Sequence, residues 1–190
     1  MPVGRVLLVP RWNGRGDSDF YPWLAAQLAA AGWRGEVETA ALRPPEAPEV
    51  EATVASVRGR LGAAGRAART VLVGHSVGAQ AAMRALAEPG PPVAGLLLVA
   101  GWWTVDRPWP ALQRWIDAPF DWARTRERAL RRVVLVSTDD PFTADAARTR
   151  RLFEERLGAE VRVHDRAGHF NQSEEPAVLA ALRDLVAPLS

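Results

Sequence analysis

Residues 71–80 read Val-Leu-Val-Gly-His-Ser-Val-Gly-Ala-Gln. Three β-favouring apolar residues run into a serine between two glycines, and an alanine-rich, helix-favouring segment follows. Gly74-His75-Ser76-Val77-Gly78 fits G-x-S-x-G, with a strand expected before it and a helix after it, the context that gives this spacing its meaning. The glycines answer a steric need. A serine on a tight, strained turn at the end of a strand leaves no room for bulky neighbours against strand and helix. Such a turn lifts the hydroxyl above the sheet and sets the N–H of Val77 at a helix amino terminus, where it can stabilise an oxyanion. The alternative is an ordinary glycine-rich turn with Ser76 capping the helix. The strand and helix on the correct sides favour the nucleophile, and His75, although adjacent, is expected to point away from it.

Outward from this motif, short β-branched runs alternate with longer Ala, Leu and Arg-rich segments, the pattern of βαβ units around a parallel sheet. Strands are expected at Arg5 to Val9, Gly35 to Ala40, Thr70 to Val73, Ala94 to Val99, Val133 to Ser137 and Glu160 to His164. Helices are expected at Tyr21 to Ala31, Val50 to Ala64, Gly78 to Ala87, Ala144 to Leu157 and Pro176 to Val186, with an irregular pair inside Pro110 to Arg131. Gly32 and Gly158 follow helices, and Pro176 suits a first helical turn. With 190 residues and no linker or repeat, one α/β domain with a six-stranded, mostly parallel sheet and helices on both faces is the expectation.

Composition narrows the function classes. All 24 cationic residues are arginines, interleaved with 22 carboxylates for a net charge of only +2, so the scattered basic knots read as solvated helix faces and a nucleic-acid partner is not expected. The absence of cysteine removes disulfides, thiolate nucleophiles and thiolate-bound metals. Residues Val6 to Pro10 are too short an apolar run for a secretory signal, and Val93 to Val105 falls short of the ~20 residues of a membrane span. A soluble cytoplasmic protein without membrane association is therefore expected. Gly14-x-Gly16 lacks the third glycine and helix of a dinucleotide site, so no cofactor is expected, and no metal either.

A serine nucleophile needs a base, normally an imidazole oriented by a carboxylate. Of three histidines, His75 is set aside by geometry and His164 lies within the last strand. His169 stands on the loop after that strand, at the end of the sheet where ligands are expected. Asp140, in Ser137-Thr138-Asp139-Asp140-Pro141-Phe142, follows the fifth strand, and Pro141 biases it towards an extended backbone. Its alternative role is to cap a helix that begins at Pro141, and Asp139 is the second candidate for the acid. Ser, Asp, His is the chain order of an α/β-hydrolase. The second oxyanion donor should lie after the first strand, in Pro10-Arg11-Trp12-Asn13-Gly14, with the N–H of Trp12 preferred and Asn13 next. Five of the eight tryptophans, Trp102, Trp103, Trp109, Trp115 and Trp122, crowd between the fourth and fifth strands. Trp102 and Trp103, with Asn13, are candidates for a substrate pocket. Trp115 and Trp122 are expected to pack over the sheet.

Gly74 to Gly78, Ser137 to Phe142, Gly168 to Asn171 and Tyr21-Pro22-Trp23-Leu24 together resemble the small α/β-hydrolases of the retinoblastoma-binding protein 9 and YdeN family, over nearly the whole chain from Val6 to about Leu185. The resemblance implies a serine hydrolase, often a weak carboxylesterase, without a large lid domain, and a triad of Ser76, Asp140 and His169. Arg11 and Trp12 depart from that family's Pro and Gly-rich loop. The expected function is hydrolysis of a small ester through an acyl-enzyme. The alternatives are a protein-binding module on a hydrolase scaffold, or a thioesterase or amidase using the same residues.

Overall fold

The computed structural model describes residues 2–106 and 109–187. Its elements in chain order are β1 (Arg5–Val9), α1 (Tyr21–Ala30), β2 (Glu36–Thr39), α2 (Val50–Leu61), α3 (Ala64–Ala67), β3 (Thr70–His75), α4 (Val77–Ala87) and β4 (Gly95–Val99). Then follow α5 (Pro110–Asp117), α6 (Trp122–Arg128), β5 (Arg132–Ser137), α7 (Ala146–Leu152), β6 (Glu160–His164) and α8 (Pro176–Val186). The strands form one sheet in the order β2-β1-β3-β4-β5-β6, and every pairing is parallel.

Each central strand sends alternate side chains into two apolar layers. Leu7, Val9, Leu96 and Leu98 join one core with Val57 and Leu61 of α2 and the small residues of α4. Val6, Leu8, Leu97 and Val99 join the other with Leu24 and Leu28 of α1 and Leu182 and Leu185 of α8. Burial on both faces is why β1, β3 and β4 read as continuous apolar runs, whereas the edge strands carry charge: Glu36 and Glu38 in β2, Glu160 and Arg162 in β6. No helix of the described residues is long and apolar enough to cross a membrane.

The departures from expectation have local causes. β3 runs to His75 because Gly74 and His75 pair with Leu98 and Val99 of β4. α2 stops at Leu61, three residues early, where Gly62 takes φ +70°, and α3 forms a separate turn. α7 starts at Ala146, with the Asp145 carboxylate accepting from the N–H of Arg148. Its last turn widens into a π-helical turn over Phe153–Leu157 that left-handed Gly158 ends. The loops after β1 and β3 flank the point where the strand order reverses, where α/β sheets offer a crevice at the strands' carboxyl ends.

Candidate active site

Among the described residues six non-glycine positions have positive φ, and all lie in segments that follow strands: Asn13 (58°) and Asp19 (52°) after β1, Ser76 (56°) after β3, Ala100 (46°) after β4, and Arg166 (50°) and Phe170 (54°) after β6. Such backbone is sparsely populated outside glycine and collects at functional sites. At Ser76 the surroundings dictate it. A Cβ on Gly74 would lie 2.5 Å from the carbonyl oxygen of Gly78, and one on Gly78 would lie 2.1 Å from that of Val9. Helix α4 therefore abuts the sheet through backbone, and the chain turns from strand to helix within one residue. The Ser76 hydroxyl makes no capping bond to α4, which disposes of the capping alternative.

That hydroxyl instead lies 2.8 Å from Nε2 of His169, whose Nδ1 lies 2.8 Å from Oδ2 of Asp140. A carboxylate only accepts, so Nδ1 carries the imidazole proton and Nε2 faces the serine as an acceptor. Ser76 and His169 are each 8% exposed and Asp140 2%, which strengthens these bonds by excluding water. Asp140 caps no helix. Its Oδ1 accepts from the N–H of Phe142 across the Pro141 turn, and the helix that follows is capped by Asp145. Such a row can take the proton from the serine and return it to a leaving group.

Asp139 has a different place. Its Oδ1 accepts from the hydroxyl of Ser137 at 2.7 Å and from the N–H of Gly168 at 2.7 Å, while the Ser137 oxygen accepts from the N–H of Ala167. The Ser137 hydroxyl, then the Gly168 N–H, hold its carboxyl below the usual carboxylate range. Asp139 thus ties down the loop that carries His169 and does not touch the imidazole.

Ahead of Ser76 lies a cavity of about 300 Å³, lined by Arg11, Trp12, Asn13, Ser76, Val77, Trp102, Val105, Trp109, Leu112, Phe142, His169 and Asn171. Its walls are mostly apolar. The Arg11 guanidinium is engaged by Asp19 at 2.9 Å and by the carbonyl of Trp12, so it offers no free charge to a ligand. In the loop after β1, the N–H groups of Arg11, Asn13 and Gly14 donate to Tyr21, Pro45 and Arg11 respectively. Among the described residues that of Trp12 has no protein acceptor, and neither has that of Val77.

The pocket candidates divide. Trp102 lines the cavity and is 2% exposed, and Asn13 lines its mouth. Trp103, expected beside Trp102, does not line the cavity, although both rings join the same apolar layer. Its ring packs 4.8 Å from Phe120 and 4.4 Å from Trp122, with the Arg84 guanidinium 5.4 Å from its centre. Trp115 is buried and donates its Nε1 proton to the carbonyl of Pro48. Two aromatic wall residues went unassigned in the sequence. Trp109 stacks between Trp12, at 6.1 Å, and Phe142, at 5.3 Å, and Phe142 meets the His169 ring edge-on at 4.7 Å. Both stand close after strands in the chain, but only the folded loops show that they face one another. His164 stays in β6, its ring against Phe170.

Residues 6–183 match the model of a family described as serine hydrolase. Among solved structures, the chain is similar to the YdeN product of Bacillus subtilis, with 23% identity over 95% of this chain and 97% of that one and a TM-score of 0.78. It is also similar to a YdeN-like hydrolase of Pectobacterium atrosepticum, with 20% identity, 97% and 92% coverage and a TM-score of 0.67. A third likeness is to a Nitrososphaera gargenis structure from work on carboxylesterases, with 13% identity, 95% and 86% coverage and a TM-score of 0.62. No curated protein matches the sequence. The structural likenesses establish the α/β-hydrolase fold, and the family match spans both the Ser76 turn and the His169 loop: this chain belongs to the serine hydrolase family.

Proposed function

We propose that the protein hydrolyses carboxylic esters of uncharged, apolar acids through Ser76, His169 and Asp140. The observation that carries this reading is the unbroken row from the Ser76 hydroxyl through both ring nitrogens of His169 to a buried carboxylate. Ser76 attacks the ester carbonyl while Nε2 of His169 takes the hydroxyl proton. The developing oxyanion is held by the unoccupied N–H groups of Val77 and Trp12; Asn13 is set aside because its own N–H already serves Pro45. His169 gives its proton to the departing alcohol, and water then repeats the sequence in reverse order to release the acid. Asp140 holds the imidazole in the tautomer that this requires. The apolar cavity with its one cation already paired supports a neutral substrate of modest size. The carboxylesterase setting of the Nitrososphaera structure supports an ester ahead of an amide.

A fluorophosphonate probe tests the reading directly. Covalent labelling of the wild type, its absence in Ser76→Ala, and a loss of p-nitrophenyl butyrate turnover by at least about 10³-fold in that variant are expected. A folded wild type that neither labels nor turns over esters, thioesters or amides would favour a binding module on a hydrolase scaffold.

A further inference from the structure

His75, the second residue of the G-x-S-x-G motif, is fully buried and takes no part in the steps above. Its ring is nonetheless bonded at both nitrogens. Nε2 lies 2.9 Å from the carbonyl oxygen of His169, and Nδ1 lies 2.8 Å from the hydroxyl of Tyr21. A carbonyl can only accept, so Nε2 carries the proton, and in the neutral ring Nδ1 is left to accept from Tyr21. Tyr21 in turn accepts from the backbone N–H of Arg11 at 3.1 Å. The bonds therefore run in one sense, from Arg11 N–H to the Tyr21 hydroxyl, to His75, to the His169 carbonyl, so that each polarises the next. Phe20, at 5.3 Å, and the His169 ring, at 5.6 Å, pack against the same imidazole. Burial above all, then the neighbouring His169 and Arg11, holds His75 down to about 3, and burial drives the Tyr21 hydroxyl upward, so both keep the proton states that the chain of bonds needs.

The ends of this chain are the two segments that must meet at the oxyanion. Arg11 immediately precedes Trp12, and the His169 carbonyl belongs to the residue that carries the base. We infer that His75 and Tyr21 are positioning residues that bridge the loop after β1 to the loop after β6, fixing the distance between the oxyanion donor and the general base. Neither touches the substrate. The loop after β6 is gripped from its other side at Ala167 and Gly168 by Ser137 and Asp139, so the backbone on both sides of the imidazole is fixed. An apolar residue of similar size could fill the volume of His75, but a group with an acceptor and a donor on opposite edges is needed to bond both loops.

This inference rests on the proposed reaction, and its test keeps the two apart. Tyr21→Phe removes a single oxygen and His75→Phe removes both bonds. In folded variants kcat for p-nitrophenyl butyrate should drop by about 10- to 100-fold with KM changed less than about threefold, the signature of misplacement rather than lost binding. The double variant should be no slower than the slower single one, because the two residues act as one unit. Nitrogen NMR of labelled histidine should show His75 as the Nε2–H tautomer in the wild type, and in Tyr21→Phe the same tautomer with the Nδ1 resonance shifted by the loss of its hydrogen bond. Active wild type with folded single variants at unchanged kcat, or losses that multiply in the double variant, would overturn the bridge; so would an Nδ1–H tautomer at His75. If His75→Phe does not fold, Tyr21→Phe and the NMR readout decide. A wild type that shows the Nε2–H tautomer but no fluorophosphonate labelling would sink the hydrolase reading and leave the bridge standing.

Discussion

The two walls of the crevice are built by different physics. On the side of β5 and β6, His169 is held by directional bonds: its ring contacts Asp140 and Ser76, its carbonyl His75, and the two preceding N–H groups donate to Ser137 and Asp139. On the other side, the side chains of Trp102, Trp109 and Leu112, from the connection between β4 and β5, and of Phe142, from the loop after β5, present faces held by packing. Directional bonds fix atoms to tenths of an ångström, as proton transfer requires, whereas dispersion between rings tolerates sliding. Under the proposed reaction, chemistry and selectivity fall to separate parts of the molecule, and substitutions on the two walls should fail differently.

The polar wall should break first and furthest. Asp140→Asn keeps the shape but favours the wrong imidazole tautomer, and kcat should fall by about 10⁴-fold with the fold intact. Asp139→Asn leaves the imidazole's partner in place and weakens the bonds from Ser137 and Gly168, worth no more than about tenfold. Steady-state kinetics of the two variants side by side checks this. A larger loss at Asp139 than at Asp140 would exchange their roles.

Substitution on the aromatic wall should instead change which ester is preferred. Trp109→Ala removes the ring that joins Trp12 to Phe142, so KM for an aryl ester such as p-nitrophenyl benzoate should rise by about tenfold while kcat holds. The acetate ester, too small to reach the stack, should be nearly indifferent. Equal effects on both esters would mean that Trp109 supports the loop and does not contact substrate.

These walls were unequally legible in the sequence. Ser76 could be found because G-x-S-x-G is a local steric requirement, and the two clashes that a Cβ would cause at Gly74 and Gly78 are its physical content. The six strands were legible for a similar reason, since burial on both faces enforces unbroken apolar runs. Helix ends were less so: Gly62 carries no mark distinguishing it from Gly59, two residues before the end of α2, yet only Gly62 takes a left-handed φ. Asp139 and Asp140 were hard to separate because which carboxylate faces the imidazole is set by the Pro141 turn and by a loop about thirty residues downstream. Trp102 and Trp103 presented the same problem, as adjacent rings whose fates depend on Phe120, Trp122 and Arg84. The bridge through Tyr21 and His75 spans 54 positions and left no local trace at all.

The last expected effect concerns stability, and it sharpens the contrast by asking how dry the polar wall is. His75 is held down to about 3 in the folded protein, chiefly by burial, against an ordinary histidine value of 6.5. Between those values the unfolded chain takes up a proton that the folded one refuses. Stability therefore rises with pH across that window, is complete above 6.5, and is lost as pH falls towards 3. The slope for one proton is at most about 1.4 kcal/mol per pH unit. His164, also held low by burial and by Arg162, adds to the same trend but is present in both proteins when wild type is compared with His75→Phe, and so cancels. Urea unfolding at several pH values from about 4.5 to 7 should show a shallower pH dependence in the variant, by up to one proton. Parallel curves would mean that water reaches His75 and lets it protonate without unfolding, in which case the polar wall is no drier than the aromatic one and the contrast between them fails.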